Sequence, residues 1–67
     1  MKNLLLTKQL RFWLDENRSK FIPAGDWIET TDVRENGSIR IHWDGSNEGM
    51  GFGIVDEEEL QIAISPL

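Results

Sequence analysis

Trp27-Ile28-Glu29-Thr30-Thr31-Asp32-Val33-Arg34-Glu35-Asn36-Gly37-Ser38-Ile39-Arg40-Ile41-His42-Trp43 decides the fold. Both arms are rich in β-branched and aromatic residues, and Asn36-Gly37 lies between them. A two-residue turn at Asn36-Gly37 would set Val33 against Arg40 and Arg34 against Ile39, mixing apolar and charged side chains on both faces. A three-residue loop, Glu35-Asn36-Gly37, repairs the pattern. Gly37 then takes the left-handed region, Val33 faces Ile39, Thr31 faces Ile41 and Glu29 faces Trp43. One face collects Thr31, Val33, Ile39, Ile41 and Trp43. The other carries Asp32, Arg34, Arg40 and His42. This register is preferred because a slip of one residue turns every side chain to the wrong face.

The rest of the chain is short. Sixty-seven residues bury only about 60% of their unfolded surface, so a single small domain of modest stability is expected. Three Trp and three Phe supply much of the core volume, and the absence of Cys excludes disulfides and Cys-based zinc sites. Lys2 is followed by only Leu4-Leu5-Leu6, too short for a signal-peptide core or a membrane span, so a cytoplasmic protein is expected.

The net charge of −5 is uneven. Residues 1–20 hold five Lys/Arg against two acids, while residues 44–67 hold six acids and no Lys or Arg. Phosphate contacts need a basic footprint, so the acidic last third argues against nucleic acid as the main partner. It argues equally against an anionic membrane surface. A protein partner of basic or neutral character fits better.

Upstream of the hairpin, Leu6, Leu10, Trp13 and Leu14 fall at helical spacing, with Thr7 placed to cap. Residues 4–18 are read as an amphipathic helix covering an open side of the sheet. A strand at residues 3–6 or 10–14 is the other reading, because Leu10-Arg11-Phe12-Trp13-Leu14 also tolerates an extended form. Asn17 to Lys20 reads as a polar connection, and Pro23-Ala24-Gly25-Asp26 as a turn leading into Trp27. Downstream, Met50, Phe52 and Ile54 alternate with Gly49, Gly51 and Gly53, which predicts a strand with one face almost bare. That bare face is filled by a neighbouring aromatic or covered by a ligand chain. Asp56 to Glu59 suits one helical turn, and Leu60, Ile62 and Ile64 alternate as a final strand.

Three pieces carry a resemblance: Pro23-Ala24-Gly25-Asp26-Trp27-Ile28, Gly37 to Gly45, and Gly53-Ile54-Val55-Asp56-Glu57-Glu58-Glu59-Leu60. Over residues 22–64 the order of strands and turns resembles the SH3-like small β-barrels, the group of SH3, Tudor and KOW-type domains. The resemblance implies a mainly β fold: a barrel of four to five antiparallel strands, here with an N-terminal amphipathic helix over residues 1–20 and the barrel over 21–67. It does not bring the binding residues of those domains. There is no Tyr for a peptide groove, and the 44–60 region lacks the basic loops that KOW-type domains use.

No catalytic set is visible. His42 is the single His and has no Cys partner. Asp44 to Gly49 departs from a calcium loop, which needs a bidentate Glu at its twelfth position, where Val55 stands. No cofactor is implied. The expectation is a non-catalytic interaction module or small accessory subunit. It would dock on a protein through aromatic and acidic surface, with Trp27, Phe52, Glu48, Glu57, Glu58 and Glu59 as contacts. The alternative is a small oligomeric ligand-binding protein or enzyme with a site at a symmetry axis near the glycine strand.

Overall fold

The computed structural model describes residues 2–33, 36–45 and 51–66. Among them are six strands and one helix: β1 Lys2–Leu5, β2 Leu10–Asp15, β3 Arg18–Ile22, β4 Trp27–Val33, β5 Ser38–His42, β6 Phe52–Asp56 and α1 Glu57–Ile64. The strands form one antiparallel sheet in the order β1-β4-β5-β6-β2-β3.

Short connections force this sheet to curl. β1 and β2 stand four places apart, as do β3 and β4, which on a flat sheet is roughly 19 Å. Residues 6–9 and 23–26 bridge those gaps, so the sheet bends over its own inner face. The sheet has two edge strands, β1 and β3, and is not closed into a barrel. The expected barrel of four to five strands is therefore corrected to a curled sheet of six.

The expected N-terminal helix is also corrected. Residues 2–5 and 10–15 are strands. Period 2 wins over period 3.6 because the buried residues of β2 are Leu10 and Phe12, with Arg11 outside between them. The helical reading left Phe12 off its apolar stripe, yet Phe12 is fully buried. Part of the expected polar connection is β3, which follows a turn at Glu16-Asn17. That turn is held by Asp15, whose Oδ1 accepts from the Asn17 N–H at 2.8 Å and whose Oδ2 accepts from Arg18 Nε at 2.7 Å.

These contacts hold the Asp15 carboxyl below its ordinary pKa of 3.8, the Arg18 hydrogen bond contributing most and the Asn17 N–H next. A depressed folded-state pKa gives stability that is present above the unfolded value and lost as pH falls through the folded one. Asp15 is expected to titrate below 3.8 when its side-chain carboxyl is followed by NMR, and Asp15→Asn should remove that share of the acid sensitivity. Titration at or above the ordinary value would mean that the Arg18 pair does not persist in solution.

The hairpin starts as its register requires, with Val33 opposite Ile39 and Gly37 at φ 77°. It then departs. Thr31 is an extra residue, and beyond it Thr30 faces Ile41 and Glu29 faces His42. The Thr31 hydroxyl donates to the Arg40 carbonyl at 3.0 Å. The bulge switches the phase of β4. Without it Glu29 would point inward and Ile28 outward; with it Ile28 is buried, and Glu29 joins His42 outside. Val33 reaches past the core and stays exposed.

The core comprises Leu6, Leu10, Phe12, Ile22, Ile28, Ile39, Ile41, Trp43, Val55, Leu60 and Ala63. Phe12 meets Trp43 edge to face, with centroids 5.5 Å apart. Trp43 Nε1 donates to Asp26 Oδ2 at 3.0 Å, so the indole is buried with its polar atom satisfied. Asp26 is delivered by a turn in which its N–H bonds the Pro23 carbonyl and Gly25 takes φ 95°.

The glycine of β6 points inward. Gly53 is buried against Phe12, while Phe52 and Ile54 lie half-buried on the outer face. Met50 and Gly49 lie outside the described residues.

The expected final strand over 60–64 is corrected to the second half of α1. Asp56 caps it, its side chain accepting from the N–H groups of Glu58 and Glu59, an arrangement that stabilises by roughly 0.5–2 kcal/mol. Leu60 and Ala63 face the core at helical spacing, and Ile62 is left exposed. The Ala63 carbonyl, orphaned at the helix end, accepts from the N–H groups of Thr7 and Lys8 and from the Thr7 hydroxyl. No helix among the described residues is long and apolar enough to cross a membrane.

Candidate functional site

Residues directly opposite in neighbouring strands share a face, and the pairings therefore fix what the convex side of the sheet displays. Leu5 sits opposite Trp27, and Asn3 opposite Glu29. Glu29 sits opposite His42, and His42 opposite Phe52. Arg40 sits opposite Ile54, Ile54 opposite Trp13, and Arg11 opposite Phe21. The convex face is thus aromatic and charged, backed by an apolar concave face.

Trp27 is the largest exposed side chain of this face, 61% accessible, and Leu5 beside it is 43% accessible. A large aromatic left in water is the kind of side chain that anchors protein contacts elsewhere. Next to it lies a cleft of about 300 Å³ lined by Asn3, Trp27, Ile28, Glu29, His42 and Asp44. The cleft leads to His42, whose ring meets Phe52 at 4.8 Å and whose Nδ1 lies 3.4 Å from Asp44 Oδ1. Trp27 and Phe52, both expected contacts, are thereby joined through His42. Trp27 is there because of the Thr31 bulge, which turns it to the face away from the Val33–Ile39 pair.

The acidic contacts separate from this pair. Glu57, Glu58 and Glu59 form the exposed first turn of α1, beyond the end of β6. Glu48 lies outside the described residues.

Sequence reasoning missed a second part of the face. The Arg11 guanidinium lies 5.2 Å from the Trp13 ring and 5.1 Å from the Phe21 ring. Arg40 lies 4.7 Å from the Phe52 ring. A helical reading of residues 4–18 scattered Arg11 and Trp13 around a cylinder, and a polar-connection reading left Phe21 without a strand. Counting period 2 from Phe12 outward would have placed Arg11 and Trp13 on one face.

A second, shallower notch of about 250 Å³ lies between Trp13, Leu14, Asp15, Glu16 and Ile54. Among the described residues no three His, Asp or Glu gather as a metal site. The glycine slot is occupied from within. A Cβ on Gly53 would stand 2.5 Å from the Phe12 ring, so no ligand chain lies on the backbone there.

Compared with known protein families, curated proteins and solved structures, the chain finds no match.

Proposed function

We infer that the protein is a non-catalytic docking module that holds a partner protein against the convex face of its sheet, with Trp27 as anchor. The observation that carries this reading is the 61% exposure of Trp27 beside Leu5 on the rim of the 300 Å³ cleft. A large aromatic anchor at the edge of a pocket is where binding energy concentrates. Phe52 and His42 extend the contact along the same face. Glu57, Glu58 and Glu59 supply acidic contacts outside it, Glu48 is a further acidic contact of the same reading, and a cytoplasmic setting belongs to it.

Removing Trp27 separates docking from folding. Trp27→Ala is expected to change stability by no more than about 0.5 kcal/mol, as surface substitutions do. It should cost a factor of ten or more, roughly 1.4 kcal/mol, in affinity for a protein cross-linked to the wild type in its host. Stability is read from urea unfolding and affinity from competition of the two forms for that protein. Equal competition, or a variant that unfolds, would remove Trp27 as the anchor.

A further inference from the structure

Three cation–aromatic contacts occur among the described residues, all on one face. Significant contacts of this kind arise about once per 70–80 residues in folded proteins, so this face is enriched. Arg11 is held against two rings on adjacent strands. Arg40 is held against Phe52, which in turn meets His42. Among the described residues neither arginine forms an ion pair with a carboxylate. Arg18 pairs with Asp15, away from both ring clusters, at the hairpin end.

A guanidinium stacked on a ring keeps its N–H donors at its edge, pointing away from the ring. The stack also restrains a long side chain whose freedom would otherwise be lost on binding. Such a group is set up for the planar, two-oxygen edge of a carboxylate. Strand pairing relates the two sites: Arg40 and Trp13 both flank Ile54, and Arg11 lies two residues before Trp13. An extended chain crossing β5, β6 and β2 would meet both.

We propose that Arg11 and Arg40 are carboxylate-binding sites, and that the convex face takes an extended segment of the partner protein bearing Asp or Glu side chains. This rests on the docking reading and names the chemistry of the docked segment. It replaces the basic partner that overall charge suggests: the −5 belongs to the whole chain, whereas recognition is set by the groups at the contact. Single-stranded nucleic acid is the rival. It would need open ring faces for base stacking, and the arginines cover one side of Trp13, Phe21 and Phe52. Glu29, Asp15 and Asp56, along the same face or its ends, would repel a continuous phosphate backbone.

The test is NMR titration of the isotope-labelled protein with three probes: a blocked octapeptide alternating glutamate and valine, its lysine–valine counterpart, and an eight-nucleotide oligothymidylate. The glutamate peptide should shift the Nε–Hε signals of Arg11 and Arg40 and the indole signal of Trp13. Arg11→Lys and Arg40→Lys keep the charge but lose the planar fork. Each should weaken that peptide about tenfold, in line with the loss of a charge-assisted hydrogen bond. Glutamate-peptide titration that leaves both Nε–Hε signals unmoved overturns the proposal without need of any variant. So does equal binding of the lysine peptide, or tighter binding of the oligothymidylate. The docking reading is judged separately by Trp27→Ala. A partner that still depends on Trp27 while the glutamate peptide fails would leave docking standing and remove only the carboxylate chemistry.

Discussion

Phe12→Ala should remove a third or more of the protein's stability, about 3–5 kcal/mol. Phe12 is fully exclused from water, lies edge to face with Trp43 and covers Gly53. Phe-to-Ala changes in cores cost about 3–5 kcal/mol through lost transfer energy and the cavity left behind. A 67-residue domain holds only roughly 3–10 kcal/mol in total, at the usual 0.05–0.15 kcal/mol per residue. The site also has little means of collapsing. One wall is the backbone of β6 at Gly53, which carries no side chain to fold into the space. Urea unfolding followed by tryptophan fluorescence gives the answer, since Trp43 is the buried indole beside Phe12. A loss under 2 kcal/mol would mean that the ring is not the centre of the core.

Gly53→Ala tests the same contact from the other side. The added methyl would stand 2.5 Å from two atoms of the Phe12 ring and 2.6 Å from the Trp13 carbonyl oxygen. The ring can turn aside at some cost; the carbonyl belongs to β2, which pairs with β6 at Trp13 and Ile54, and cannot retreat without opening that pairing. Overpacking costs about 1–3 kcal/mol, and this variant should fall at the upper end. Phe12→Leu gives the ring position some slack, so Gly53→Ala combined with Phe12→Leu should be less destabilised than the two changes added together, by at least about 0.5 kcal/mol. Strict additivity would show that the methyl meets something other than the ring.

The parts of the fold that the sequence made legible were those in which local chemistry and burial agree. Gly37 at positive φ, Val33 against Ile39, the inward Ile39-Ile41-Trp43 run and the turn at Gly25 all follow from residue type and alternation. Two segments misled because each fits two periods. Leu6, Leu10, Trp13 and Leu14 sit at helical spacing, yet Leu6 is a loop residue packed under the sheet while Leu10 and Phe12 alternate. Leu60, Ile62 and Ile64 alternate, yet Leu60 and Ala63 are the buried pair of a helix started by Asp56. Short apolar runs do not separate the two periods; the cap and the fully buried aromatic do.

The candidate site was half legible for a related reason. Trp27 is among the contacts the sequence suggests, but its face depends on the Thr31 bulge, and a bulge leaves no signal in alternation until both strands are aligned. The Arg11 cluster depends on residues 4–18 being extended, and so it was lost with the helix. Glu57 to Glu59 read as a partner contact also serve the start of α1, where their charge suits the positive end of the helix dipole.

The clamp between Thr7 and the end of α1 bears on how the chain reaches this structure. Its hydrogen bond joins residues 56 apart in sequence, and β2, made early, has to wait for β6, made late, before its second edge is paired. Contacts of such long separation fold slowly, on the millisecond-to-second scale of sheet proteins rather than the microseconds of helical bundles. During synthesis the first hairpins therefore emerge with Phe12 and Trp13 still uncovered, and productive assembly is delayed until the segment bearing Ala63 clears the ribosome.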